Sequence, residues 1–93
     1  MGINILAVLD LSTAHLKPET VSLLDDTPAH LWPVSGGHIP YGYFMYAHDE
    51  NMGDPGIPDD LWACIEFARA NGCSHLRFDC DADSYEGLPV YEH

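Results

Sequence analysis

The sequence predicts an α+β fold of the ferredoxin-like βαββαβ type, in which a four-stranded antiparallel sheet carries two helices on one face. The chain has 93 residues, of which 46% are hydrophobic and 19% are charged, so residues 1–93 are expected to form a single domain with an apolar core. Strand-like and helix-like segments follow each other in the order β-α-β-β-α-β. The segments predicted as first and third strands are the most apolar, as the central strands of this topology should be.

An apolar run and two prolines mark the first strand and the first helix. Residues 3–11 are largely apolar and include β-branched members, which predicts a buried strand. Pro18 suits a first helical turn, because the N–H that it lacks would have no partner there. The residue before Pro28 is disfavoured in a helix, so we expect the helix to end there.

A β-hairpin is predicted next. Residues 30–34 predict a strand at the edge of the sheet, because Pro33 cannot donate to a hydrogen-bond ladder. Residues 35–38 predict the turn, and the aromatic segment 41–47 predicts the second strand of the hairpin.

The clearest helical pattern covers residues 58–71. Pro58 begins it, and Gly72 lies just past its end. Its apolar stripe consists of Leu61, Cys64, Ile65 and Ala68. Residues 74–80 predict the last strand. The short C-terminal tail is expected to add an edge strand or to pack against the domain.

The charge balance excludes several classes of function. Three Lys and Arg residues stand against 15 Asp and Glu residues, which gives a net charge of −12. Direct binding to nucleic acid or to an anionic membrane surface is therefore not expected. No apolar run approaches the roughly 20 residues of a membrane span, and the N-terminus lacks the basic region of a signal peptide. Three cysteines without a C-x-x-C pair favour reduced thiols in the cytoplasm.

Four segments of the chain resemble those of known small proteins. They are LDLSTAHL at 9–16, PET at 18–20, ARANGC at 68–73 and GLPVY at 87–91. Together they resemble a family of small, uncharacterised acidic proteins encoded on bacterial mobile elements, namely plasmids, integrative elements and phages. The resemblance implies an accessory gene of a mobile element and brings no catalytic residue with it. It favours a role against host defence, because mobile elements commonly carry such proteins.

The carboxylates provide the leading functional hypothesis. They lie mostly in predicted loops, first helical turns and the tail, so we expect them to be exposed and ionised. Duplex DNA presents one negative charge per roughly 1.7 Å of its axis, and a dozen surface carboxylates could imitate a short stretch of it. We therefore predict a non-enzymatic nucleic-acid mimic that inhibits a host defence complex of the restriction or CRISPR type by occupying the basic groove of that protein partner. The candidate partner-binding residues are Asp25, Asp26, Asp49, Glu50, Asp54, Asp59, Asp60, Asp81 and Asp83. Acidity that serves only solubility is the simpler explanation.

A second hypothesis uses the face of the sheet that the helices leave open. Alternate residues of the aromatic strand 41–47 must point away from the helices, and Leu6 and Val8 should share that face. An open apolar face usually indicates a partner. The chain would then be a small regulatory module that docks, or forms a homodimer, through this face.

A third hypothesis is a metal-dependent enzyme. Asp79, Asp81 and Asp83 have the spacing that opens a calcium loop. Ser84 and Val90, however, occupy the positions where such a loop has Gly and Glu. We therefore expect no metal and no cofactor.

No catalytic residue is predicted either. Ser12, His15 and Asp10 could be written as a triad, but their closeness in sequence does not give triad geometry. His15 is instead expected to make a polar contact in the turn after the first strand.

Overall fold

The computed structural model describes residues 3, 5–51 and 56–92, which form a mixed sheet and two helices. The strands are Val8–Ser12 (β1), Gly36–Ile39 (β2), Gly42–Tyr46 (β3) and His75–Asp79 (β4), and the helices are Pro18–Asp26 (α1) and Asp59–Ala70 (α2). The four strands have the order β1-β4-β3-β2. β1 runs parallel to β4, whereas β2 with β3 and β3 with β4 are antiparallel.

The predicted antiparallel ferredoxin-like sheet is therefore wrong in strand order and in one strand direction. β4 takes the central place that was expected for β1. Leu76 and Phe78 of β4 are completely buried, whereas Ile5, in the first half of the apolar run, is 84% exposed. An apolar run shows that a segment can be buried, but it does not say which strand lies beside it.

The hairpin is shifted along the chain relative to the prediction. Residues 29–31 form a 3-10 turn, and the strand that pairs with β3 is β2 at residues 36–39, where a turn was expected. The Trp32 indole N–H lies 2.9 Å from the carbonyl oxygen of Thr27, which ties this segment to the end of α1. Gly36 can pair with β3 because it has no Cβ, which would lie 2.3 Å from the Phe44 carbonyl oxygen.

One core lies between the helices and one face of the sheet. The stripe predicted for α2 is confirmed, since all four of its residues are completely buried. Leu24 of α1 and Leu61 of α2 belong to the same cluster as Met45 and Leu76 of the sheet. Both helices therefore cover the same face, and the other face stays open.

Aromatic side chains from other parts of the fold form hydrogen bonds with the C-terminal end of α1. The His38 Nε2–H and the Trp32 indole both donate to the Leu24 carbonyl oxygen, at 2.9 and 3.2 Å. The Tyr43 hydroxyl donates to the Asp25 carboxylate at 2.5 Å. The two contacts to Leu24 satisfy a backbone carbonyl that the helix end leaves without an intrahelical partner.

The Tyr43 phenol should make the folded state sensitive to alkaline pH. Burial raises its pKa well above the usual value, and the hydrogen bond to Asp25 and the negative charge of Asp25 raise it further. The pKa is near 10 in the unfolded chain, so this stabilisation is complete below about pH 10 and is lost as the pH rises towards the folded-state pKa. The free energy of unfolding in urea, measured between about pH 8 and pH 11, should fall more steeply for the parent chain than for Tyr43→Phe. Equal slopes would contradict the raised pKa.

Candidate acidic interface

The end of the sheet at which β1 and β4 terminate gathers predicted site residues from separate parts of the sequence. Asp81 and Asp83 follow directly on β4, whose last residue is Asp79. β1 runs parallel to β4, so the chain leaves both strands at the same end. Soon after β1 the Lys17 backbone N–H donates to the Asp60 carboxylate at 2.8 Å, which places the start of α2 at this end as well.

The end of α1 brings two more carboxylates there. Asp25 accepts the hydrogen bond from Tyr43, and Tyr43 lies opposite Phe78, next to the last residue of β4. Asp26 is the last residue of α1. We call this region the acidic end and define it by the exposed residues Asp25, Asp26, Asp59, Asp81 and Asp83.

Two of the other predicted residues lie away from the acidic end. Asp49 and Glu50 are exposed and follow β3, and the Asp49 carbonyl oxygen accepts a hydrogen bond from Arg69 in the last turn of α2 at 3.2 Å. α2 has 12 residues and is therefore about 18 Å long, so this pair lies at the opposite end of the helix from Asp59. Asp54 lies outside the described residues.

Asp60 departs from the expectation that all the candidate carboxylates are exposed. It is only 7% exposed, and its two oxygens accept hydrogen bonds from the Lys17 N–H at 2.8 Å and from the Thr20 hydroxyl at 2.9 Å. A carboxylate of α2 thus binds the first turn of α1, and it is not available to a partner. The sequence spacing indicates this burial, because Asp60 precedes Cys64 of the buried stripe by four residues and therefore lies on the same face of the helix.

The three cations of the chain are all held by contacts within the domain. Arg77 forms an ion pair with Asp10 at 3.0 Å on the open face, and Arg69 donates to the Asp49 carbonyl oxygen. The ammonium group of Lys17 lies 5.9 Å from the centre of the Tyr91 ring. The chain has three Lys and Arg residues in all, so the five carboxylates of the acidic end cannot all be balanced by basic side chains.

The residues that follow β4, where the aspartate spacing suggested a calcium loop, form a turn. Ligand atoms of Asp79, Cys80 and Asp81 lie within 4.8 Å of one another, and Asp83 is outside this group. The Asp79 carboxylate accepts the Asp81 backbone N–H at 2.9 Å, as aspartates commonly do in turns. The geometry is that of a local turn, with one carboxylate oxygen already bonded.

His15 connects the turn after β1 to the C-terminal tail. It is 1% exposed, its Nδ1–H donates to the Pro89 carbonyl oxygen at 2.8 Å, and its Nε2 accepts the Tyr85 N–H at 2.9 Å. These partners fix the neutral tautomer with the proton on Nδ1. Both ring nitrogens are occupied by the tail, and the Asp10 carboxylate is paired as described above. The structure therefore does not bring Ser12, His15 and Asp10 together as a triad.

The cysteines differ in their surroundings. Cys64 is completely buried, and burial together with the negative charge of Asp60 raises the pKa of its thiol to about 12. A neutral thiol of this kind packs as a small apolar side chain. Cys80 is exposed in the turn after β4.

A row of aromatic rings lies on the open face. The ring of His75 stacks on Phe44 with a centroid distance of 5.4 Å and meets the edge of Tyr46 at 5.5 Å, and Tyr46 contacts His48 at 5.2 Å. Leu6 and Val8 are both exposed, as expected. Tyr43, in contrast, points into the core.

A surface cavity of about 480 Å³ lies beside the 3-10 turn. It is lined by Ala29, His30, Trp32, Pro33, Val34, Ser35, Gly36 and His48. His48 Nε2 accepts the Ser35 backbone N–H at 2.9 Å, so the histidine supports this segment of backbone.

Comparison with known protein families assigns most of the chain. Residues 8–93 match the model of the C-terminal domain of DUF5983, a family of unknown function. The chain belongs to this family. No curated protein and no solved structure matches it. The resemblance to an uncharacterised protein family is thereby confirmed. In the part of this DUF5983 domain that the structure describes, no helix is long and apolar enough to cross a membrane.

Proposed function

We propose that this DUF5983 domain is a non-enzymatic inhibitor that binds the basic nucleic-acid groove of a bacterial defence complex, such as a restriction enzyme or a CRISPR effector. A mobile element would encode it, and it would act in the cytoplasm. The observation that carries the proposal is the unbalanced charge of the acidic end: five exposed carboxylates lie there, while each cation of the chain has a contact within the domain.

The mechanism is competition for the basic side chains that hold phosphates. Lys and Arg form charge-assisted hydrogen bonds with carboxylates as they do with phosphates. Carboxylates on one end of a small domain can occupy a groove that accepts the edge of a duplex. A bound inhibitor then excludes DNA or RNA without any chemical step.

Displacement of DNA from purified defence enzymes tests the proposal. A fluorescent duplex bound to a restriction enzyme or an RNA-guided nuclease should be released as the domain is added. The affinity of the domain should fall steeply between about 50 and 500 mM salt, because screening weakens every exposed charge pair. An affinity that hardly changes over this range would show that the acidic end is not the contact, and failure to displace DNA from enzymes of both classes would refute the proposed function.

A matched pair of triple variants locates the contact. Asp59→Asn, Asp81→Asn and Asp83→Asn together remove three charges from the acidic end. Asp49→Asn, Glu50→Gln and Glu66→Gln together remove three exposed charges from elsewhere. Exposed ion pairs contribute roughly 0–1 kcal/mol each, so the first triple should weaken binding on the order of 10- to 100-fold and the second by less than about threefold. Equal losses would indicate that only net charge matters.

A second candidate function is docking through the open face, and the aromatic row favours it. Four rings, those of Phe44, His75, Tyr46 and His48, form a continuous surface there. A partner bound there would lose affinity in Tyr46→Ala and would show little dependence on salt. The two candidates are thus separated by the same titration.

A further inference from the structure

The free edge of β1 has backbone groups that face away from the sheet. The Ala7 carbonyl oxygen accepts the N–H groups of Ser74 and His75 at 2.9 and 3.3 Å, so Ala7 faces β4. Backbone groups alternate along a strand, so those of Leu6, Val8 and Asp10 point outward. An exposed row of this kind is a template for another strand.

The C-terminal tail covers one part of this edge. The Tyr85 hydroxyl donates to the outward carbonyl oxygen of Asp10 at 3.0 Å, and the Tyr91 N–H donates to the Ala14 carbonyl oxygen at 2.8 Å. Within the described ranges the tail makes no hydrogen bond to the edge at Leu6 or Val8. The open part of the edge therefore ends before Asp10.

The open part of the edge is uncharged and apolar, which makes a second copy of this acidic chain a compatible partner. Residues 3–9 carry no charge in a chain of net charge −12. Ile5 is 84% exposed and Leu6 is 63% exposed, whereas the nearest charge, Asp10, is paired with Arg77. Two copies of the chain can meet here without opposing carboxylates, although contact through the acidic end would bring like charges together.

We propose that two copies of the chain pair through this edge of β1 and form a two-fold dimer with a continuous eight-stranded sheet. A symmetric contact of one strand edge with itself is antiparallel. The outward residues must face each other, and pairing must stop before Asp10, whose carbonyl oxygen Tyr85 occupies. One register that meets both conditions places Leu6 opposite the partner's Val8 and Ala7 opposite the partner's Ala7. The dimer leaves both acidic ends free, so it stands independently of the proposed function.

Sedimentation equilibrium and a matched pair of variants test the dimer. The apparent mass should rise with concentration from 10.3 kDa towards twice that value. Leu6 and Leu31 are each 63% exposed, so Leu6→Asp and Leu31→Asp introduce the same charge at equally exposed sites. Leu6→Asp should weaken association at least 10-fold and Leu31→Asp by less than about twofold, with unchanged circular dichroism in both. A protein that stays monomeric up to about 1 mM, or equal effects of the two variants, would overturn the proposal.

Disulfide capture tests the register. In the proposed pairing the two Ala7 residues form a non-hydrogen-bonded pair with Cα atoms about 4.5 Å apart, which is within the range of a disulfide. Ala7→Cys, in a chain that also carries Cys73→Ser and Cys80→Ser, should oxidise to a covalent dimer. Ala70→Cys in the same background is the control, because Ala70 is exposed at the end of α2. Equal rates of oxidation at both positions would refute the register. A dimer that neither Leu6→Asp weakens nor Ala7→Cys captures would place the contact on the open face.

Discussion

Asp60→Ala is expected to destabilise the fold by about 2–4 kcal/mol, whereas Asp59→Ala should change its stability by less than about 1 kcal/mol. The two residues are neighbours in the first turn of α2, and each adds a similar negative charge near the start of the helix. Only Asp60 binds α1, through the Lys17 N–H and the Thr20 hydroxyl. Its removal leaves the buried Thr20 hydroxyl and the partly buried Lys17 N–H without an acceptor, which is the main source of the loss.

Urea unfolding of both variants, followed by circular dichroism, measures this difference. Thr20→Val serves as a further control, since it removes one donor and leaves the Lys17 contact in place, and it should be less destabilising than Asp60→Ala. If Asp59→Ala proved as destabilising as Asp60→Ala, the effect would come from the helix dipole rather than from the contact with α1. The hydrogen bonds from Asp60 to α1 would then add little to stability beyond the effect of its charge.

Local patterns predicted the elements that depend on local interactions. The stripe of α2 was identified because helical spacing puts Leu61, Ile65 and Ala68 on one face whatever surrounds them. The same spacing indicates that Asp60 faces the core, since it precedes Cys64 by four residues. The acidic residues around it suggested an exposed surface instead, so the burial of Asp60 was not predicted.

Strand pairing could not be predicted in the same way. The sequence of β1 is compatible with an edge position beside β4 and equally with a central position, because Leu9 and Leu11 face the core in both arrangements. The direction of β4 follows from the direction of α2, whose start is bonded to Lys17 after β1 and whose last turn is bonded to Asp49 after β3. The Asn51 side chain makes two hydrogen bonds to the backbone of Ile57, shortly before α2, at 2.9 Å each. Such contacts form only once the chain is folded, and residue periodicity does not report them.

The candidate interface was likewise predictable from the sequence only in part. Composition alone indicated an acidic surface, because three cations cannot balance 15 carboxylates. Its position could not be predicted, since the acidic end combines the end of α1, the start of α2 and the turn after β4. From the sequence, Asp49 and Asp59 belonged to one group of candidate partner-binding residues, whereas the fold places them at opposite ends of α2.

His15→Ala is expected to destabilise the domain by about 2–4 kcal/mol and to release the C-terminal tail. The substitution removes a buried ring and leaves the Tyr85 N–H and the Pro89 carbonyl oxygen without their partner. Leu88, which is 8% exposed, packs in the core between these two contacts, so the tail should loosen as a unit. Hydrogen exchange at the Tyr85 and Tyr91 amides should accelerate more than exchange in β4, and urea unfolding measures the overall loss.

His30→Ala is the matched control, because His30 is an exposed histidine in the 3-10 turn. It should leave both stability and tail exchange unchanged within about 0.5 kcal/mol. If His15→Ala lowered stability without accelerating exchange at Tyr85 and Tyr91, the ring would act by filling space and not by holding the tail. If neither variant had an effect, the contact between the turn after β1 and the tail would not contribute to the fold, although these two segments are separated by more than 70 residues in the sequence.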